Sequence, residues 1–159
     1  MIAMAMSCQP SLIIADEPTT ALDVTVQALV LNELAELQES SKMAMLLITH
    51  DMGVIAETCR NVIVMYCGNV IEIAKVKTLF KSPKHPYTFG LLNSMPKIRQ
   101  SRVGKLPTIK GIVPDLLHLP KGCNFANRCP KVKQICLEKE PELESCSEDS
   151  QVSCFFPNE

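Results

Sequence analysis

Short unbroken apolar runs alternate with stretches of helical spacing along the first half of the chain. Ser11 to Ala15 (SLIIA) and Met43 to Ile48 (MAMLLI) predict strands buried in a parallel sheet. Between them Val26, Leu29, Val30, Leu34 and Leu37 recur at intervals of three and four, broken by Glu33. That spacing predicts an amphipathic helix from Thr25 to Ser40, with Thr25 as its N-cap. Residues 1–7 read as the last turns of a helix, and DMGVIAETC, from Asp51, begins another. NVIVMY and VIEIA flank Cys67-Gly68-Asn69 as the arms of a hairpin. The order strand, helix, strand, helix makes the fold class α/β with parallel strands.

The second half is punctuated differently. A short helical stretch follows Ala74, and then SPKHPYTFGLLNSMP sets three prolines around another helix. HPYT reads as a loop-to-helix entry with Pro86 in the first turn, which suits His85 better than metal ligation does. Residues 96–122 have little periodicity and form an irregular connector. The chain thus divides into an α/β part, 1–74, a helical and irregular connector, 75–122, and a cysteine-rich extension, 123–159.

Composition narrows the function. With 159 residues, 47% hydrophobic and 21% charged, the chain can build one core plus an appendage. Its net charge of -1 gives no general case for a nucleic-acid partner. Charges from Lys97 to Lys133 are nearly all basic and those from Glu138 to Asp149 mostly acidic, a pattern that solvated faces explain. No stretch approaches the ~18 apolar residues of a membrane span. MIAMAMSCQP lacks the basic and apolar regions of a secretory leader, so a cytosolic location with reduced cysteines is expected. Of the eight cysteines, Cys8, Cys59 and Cys67 sit in apolar contexts that suit small buried side chains. The other five lie between Cys123 and Cys154.

Asp16 and Glu17 end the first predicted strand, and Thr49, His50 and Asp51 end the second. In an open α/β sheet, ligands bind beyond the carboxyl ends of the strands, so these polar groups converge on one edge. Two carboxylates and a histidine there suit phosphate chemistry: one to hold Mg²⁺, one to orient or deprotonate water, and an imidazole to reach a terminal phosphate. Taken singly, an acidic pair after a strand more often caps the next helix, and a lone histidine is more often structural.

The longer string changes that balance. LIIADEPTTALDVTVQ followed by LLITHD resembles the ATP-binding subunits of ABC transporters. The resemblance implies the C-terminal half of a P-loop NTPase sheet with its helices. It makes Asp16 the aspartate that holds the Mg²⁺ of MgATP through water, and Glu17 the general base for the attacking water. Asp23 becomes the aspartate that signals across a nucleotide-sandwiched dimer, and His50 the switch histidine on the γ-phosphate. A G-x-x-x-x-G-K-[ST] phosphate loop occurs nowhere in the chain, nor does LSGGQ. Without that cradle the positioning part of phosphoryl transfer is missing, so the chain alone is expected to hydrolyse no ATP.

Cys123, Cys129, Cys136, Cys146 and Cys154 have spacings longer than those of common zinc sites. Four thiolates can still enclose a metal or an iron–sulfur cluster when they converge in space. HPYTFGLLNSMP, GIVPDL and GCNFANRCP resemble the C-terminal extension of oligopeptide/dipeptide-type ABC importer ATPases. That resemblance implies a [4Fe–4S] cluster on Cys123, Cys129, Cys136 and Cys154, with zinc as the alternative and Cys146 outside the set. Arg128, beside Cys129, is placed either to stabilise cluster charge or to face solvent. The family reading implies an ATPase that dimerises with a second ATPase subunit and docks on membrane permease subunits at the inner face of the cell membrane. The competing reading is a non-catalytic iron–sulfur or zinc module that binds a partner. A DNA-repair ABC ATPase shares the strand motif but is not expected to carry HPYT or the cysteines.

Overall fold

The computed structural model describes residues 2–95 and 107–158. Two compact units part between Thr58 and Cys59. The first carries α1 (Ile2–Met6), β1 (Leu12–Asp16), α2 (Val24–Ser41), β2 (Ala44–Ile48) and α3 (Met52–Thr58). Strands β1 and β2 pair in parallel, Leu12 opposite Ala44 through to Asp16 opposite Ile48. Both ends of α2 follow from local chemistry. Asp23, not Thr25, is its N-cap, accepting the N–H groups of Thr25 and Val26 at 3.0 Å each. Lys42 ends it in the left-handed region (φ 54°), with its N–H on Gln38 O.

Burial in this unit is narrower than the pattern predicts. The buried apolar side chains are Ile13, Ala15, Leu31, Leu34, Met43 and Val54, so the helix buries Leu31 and Leu34 while Val26 and Leu29 face solvent. Leu12, Ile14, Leu46 and Ile48 are also exposed, leaving one side of the two-stranded sheet open. Cys8, expected to be buried, is exposed too.

The second unit contains β3 (Asn61–Tyr66), β4 (Asn69–Lys75), α4 (Val76–Lys81), α5 (Pro86–Asn93), α6 (Gln134–Glu138), β5 (Glu144–Ser147) and β6 (Ser150–Val152). Its four-stranded antiparallel sheet runs β3-β4-β6-β5. The β3–β4 hairpin is the predicted one, and its two turn residues, Cys67 and Gly68, both take positive φ (47° and 85°) as a tight primed turn requires. Because β4 pairs with β6, the hairpin joins the extension, and the units part after residue 58 and not near the expected 74. Described residues 107–122 contain no helix or strand; residues 96–106 of the expected connector lie outside the described part. No described helix is long and apolar enough to cross a membrane.

Aromatic packing centres this unit. Tyr66, Tyr87 and Phe125 meet with ring centroids 4.7–5.5 Å apart in tilted and edge-on arrangements, over Ile71. Arg128 braces the connector against them: its guanidinium donates to the carbonyls of Ile109 and Lys110 and to the Tyr66 hydroxyl.

The entry to α5 is held by a buried carboxylate. Glu72, 1% exposed on β4, accepts the main-chain N–H groups of Lys84 (2.6 Å) and His85 (2.9 Å). His85 is then the N-cap of α5, its Nδ1 accepting the N–H of Tyr87 at 3.0 Å, and Pro86 occupies the first turn as the sequence predicts.

Two predictions follow from this packing, and both are readable in one signal, since the chain has no Trp and both its tyrosines, Tyr66 and Tyr87, lie in this core. At Gly122 a Cβ would stand 2.3 Å from the Cys136 carbonyl oxygen and 2.6 Å from the Leu137 carbonyl carbon, main-chain atoms that cannot swing aside. Gly122→Ala is expected to lower stability by about 1–3 kcal/mol in urea unfolding followed by tyrosine fluorescence. Gly90→Ala meets only the Ile109 side chain and is expected to cost clearly less; equal losses would contradict this reading.

Burial pushes the His85 pKa from 6.5 down to about 4. Between those values the unfolded chain binds a proton that the folded chain refuses. Stability is therefore expected to fall as pH drops through that window and to level off below it. From pH 7 to pH 5 the loss should be on the order of 2 kcal/mol, and His85→Asn, which keeps a capping oxygen, should remove that portion. Identical pH dependence of the two proteins would refute it.

Candidate functional site

The carboxyl ends of β1 and β2 bring the two residues assigned to catalysis into contact. Glu17 extends the parallel ladder by one bond, its N–H donating to Ile48 O at 2.8 Å. It then takes a positive φ of 44°, a conformation costly for a residue with a side chain, which turns the chain sharply off the strand. Its carboxylate faces His50, with Oε1 2.9 Å from Nδ1, and accepts a hydrogen bond from the Thr20 hydroxyl on Oε2 at 2.8 Å. The bond to His50, then that to Thr20, holds the Glu17 carboxyl below the usual carboxylate range. Both side chains are open to water (80% for His50, 44% for Glu17), so the pair is available to a ligand and contributes little to stability.

Asp16 lies exposed at the end of β1, beside Glu17 in the chain and opposite Ile48 in the ladder. Asp23 is not part of this contact, because its carboxylate is engaged at the start of α2. Sequence reasoning missed Thr20, and it placed Asp51 at this edge without its role as a cap. Asp51 caps α3 through Gly53 N (2.8 Å) and Val54 N (3.3 Å), and its other oxygen faces Gln27 Nε2 at 3.4 Å. The two threonines after Pro18 were the available signal for a hydroxyl near Glu17.

In the second unit, Cys123, Cys129, Cys136 and Cys154 line one small cavity with His85, Phe125 and Phe156. Local bonds bring them there. Cys123 N–H donates to Cys136 O (2.8 Å), and a 3-10 turn at Ala126–Arg128 leads into Cys129, whose N–H reaches Ala126 O (3.3 Å). Lys131 Nζ on Pro157 O (3.4 Å) and Lys133 over the Phe156 ring (4.0 Å) tie the final segment, and so Cys154, to the same loop. Cys146 is elsewhere, in β5, with its thiol 3.1 Å from Ser150 Oγ. Among the described residues the cysteines form no disulfide.

The chemistry of these sulfurs pulls in two directions. Burial raises the Cys123 and Cys129 thiols and pushes Cys154 up to about 11. Yet a main-chain N–H is aimed at these sulfurs, that of Lys131 at Cys129 (3.4 Å). Such a donor favours a thiolate or a metal-bound sulfur over a neutral thiol. Among the described residues no three His, Cys, Asp or Glu side chains gather tightly enough for a single metal ion.

Comparison with known proteins bears on both units. Residues 71–136 match the family described as "Oligopeptide/dipeptide transporter, C-terminal region". Over 159 residues the chain is 52% identical to the "Oligopeptide transport ATP-binding protein AppD" of Bacillus subtilis, covering 100% of this chain and 48% of that protein. It is 50% identical over the same span to the "Probable peptide ABC transporter ATP-binding protein y4tR" of Sinorhizobium fredii, with 100% and 48% covered. For the "Oligopeptide transport ATP-binding protein OppD" of Salmonella typhimurium the figures are 49% identity, 100% and 47%. The solved structure of cbiO1 from Clostridium perfringens, part of the ABC transporter complex cbiONQ, aligns with 50% of this chain and 32% of its own at 32% identity and a TM-score of 0.48. The chain spans about half the length of the relatives it matches. Along its whole length the chain is similar to the C-terminal half of oligopeptide/dipeptide-type ABC transporter ATP-binding proteins.

Proposed function

We propose that this chain carries the hydrolytic half of an ATPase that energises peptide import through an ABC transporter. The observation that carries the reading is the Glu17–His50 contact of 2.9 Å at the carboxyl ends of two parallel strands. In that role Asp16 holds Mg²⁺ through water, Glu17 takes a proton from the attacking water, and His50 reaches the γ-phosphate. The His50 contact keeps Glu17 ionised and so ready to accept that proton. Asp23, fixed at the start of α2, signals to a second ATPase subunit across bound nucleotide. Permease subunits in the cell membrane are the other partners, with this chain peripheral on the cytoplasmic side. The peptide transport named for its relatives supports the substrate class.

The chain contains no phosphate-binding loop string, so the 159 residues alone are expected to turn over no ATP. Turnover by the purified chain that disappears in Glu17→Gln would overturn this. In a reconstituted importer whose ATPase includes these residues, Glu17→Gln is expected to cut ATP turnover by at least about 100-fold while nucleotide still binds. Unchanged turnover there would remove Glu17 from the general-base role.

For the second unit we infer an iron–sulfur cluster on Cys123, Cys129, Cys136 and Cys154. The four cysteines lining one cavity, with the Lys131 N–H on the Cys129 sulfur at 3.4 Å, support it. Anaerobically prepared protein should be brown, with broad absorption near roughly 400 nm and matching iron and acid-labile sulfide. Colourless protein carrying stoichiometric zinc would sink the cluster reading.

A further inference from the structure

His85 lines the same cavity as the four cysteines, yet nothing so far gives its ring a part in what that cavity holds. The ring is unusually constrained. It is 1% exposed and lies 5.7 Å from the Phe125 ring, centroid to centroid. Its main-chain N–H is bound to the buried Glu72 carboxylate, and its Nδ1 accepts the Tyr87 N–H. Nδ1 therefore presents its lone pair to the helix, and the neutral ring carries its proton on Nε2. With Nδ1 committed and Nε2 protonated, the imidazole has no lone pair to offer a metal. What remains is one polarised N–H on a side chain walling a cavity that the four cysteines and Lys131 also line.

We propose that His85 donates a hydrogen bond from Nε2 to a sulfur of the group held by Cys123, Cys129, Cys136 and Cys154, and so tunes its reduction potential without ligating it. This rests on the iron–sulfur reading above. His85 is a positioning residue in two senses. Its Nδ1 starts α5, and its Nε2 joins the Lys131 N–H already directed at the Cys129 sulfur. Hydrogen bonds to sulfur stabilise the added negative charge when an electron enters, and so raise the potential. The HPYT segment thereby couples the helix entry to the electronics of the cysteine site. Because Glu72 fixes the main chain at Lys84 and His85, the donor is placed by the β4 strand and not by a mobile loop.

The test compares the parent chain with His85→Asn, which retains a capping acceptor but is too short to place a donor where Nε2 stands. Both are prepared anaerobically and assayed for iron and sulfide, and their midpoint potentials are measured by dithionite titration followed by electron paramagnetic resonance. Equal iron content with a lower potential in His85→Asn is expected. Equal potentials at equal iron content would overturn the proposal. A second measurement does not depend on the variant folding: the parent is grown with ¹⁵N-histidine and its reduced cluster examined by pulsed electron paramagnetic resonance. A ¹⁵N coupling in the parent, absent wherever His85→Asn retains its iron, supports the donor, and no coupling in the parent overturns it. Parent protein without iron or sulfide would defeat the iron–sulfur reading itself, and the proposal with it, an outcome distinct from a cluster indifferent to His85.

Discussion

A carboxylate almost sealed from water sets the geometry of the larger unit. Glu72 sits within β4, bonded on one side to β3 and on the other to β6, and its charge is met by the N–H groups of Lys84 and His85. A buried charge costs several kcal/mol unless hydrogen bonds compensate it, so the loop before α5 is drawn to this point of the sheet. The tail is drawn to the same loop, with Asn158 N–H on Lys84 O at 2.8 Å and Asn158 Nδ2 on Pro83 O at 3.1 Å. Once the loop is fixed, α5 begins at His85 and Tyr87 falls against Tyr66 and Phe125. Phe125 stands two residues after Cys123 and four before Cys129, so the aromatic core and the cysteine cavity are built by the same few residues.

The smaller unit solves a different problem with fewer parts. Its catalytic candidates come from one ladder register and one strained residue. Had β1 and β2 been shifted by a single residue, the Glu17 N–H would lose Ile48 O and the carboxylate would lose its place opposite His50. The open apolar side formed by Leu12, Ile14, Leu46 and Ile48 shows that this register is not secured by burial on both faces. It rests on main-chain bonds, on the cap at Asp23 and on a modest core beneath Ile13 and Ala15.

Most elements were legible because their signals are local. Alternating run types located β1, α2 and β2, the Cys67-Gly68 turn located the hairpin, and Pro86 located the start of α5. What escaped was long-range. No pattern in VIEIA reveals that Glu72 binds main-chain groups twelve and thirteen residues away, although a glutamate inside an apolar strand was a visible oddity. The boundary near Ala74 failed because strand pairing between β4 and β6 spans the connector, and sequence order carries no record of it. Within α2, the spacing identified a helix but not which of several apolar stripes is buried, since that depends on what packs against it. At the first site the contact of Glu17 with His50 was inferable from the strand ends, whereas the Thr20 hydroxyl depended on the positive φ of Glu17 turning the chain back.

Several residues whose types suggest chemistry are also folding devices. Asp23, Asp51 and His85 each begin a helix by accepting main-chain N–H groups. That double use is physically economical: a cap must be rigid to satisfy amides, and rigidity is what a functional side chain needs to act on a ligand. The cysteines add the complementary case. Burial raises the Cys123, Cys129 and Cys154 thiols, while the Lys131 N–H is spent on the Cys129 sulfur, a bond that a neutral thiol barely rewards. An amide directed at a sulfur in an apolar pocket makes energetic sense when that sulfur carries negative charge.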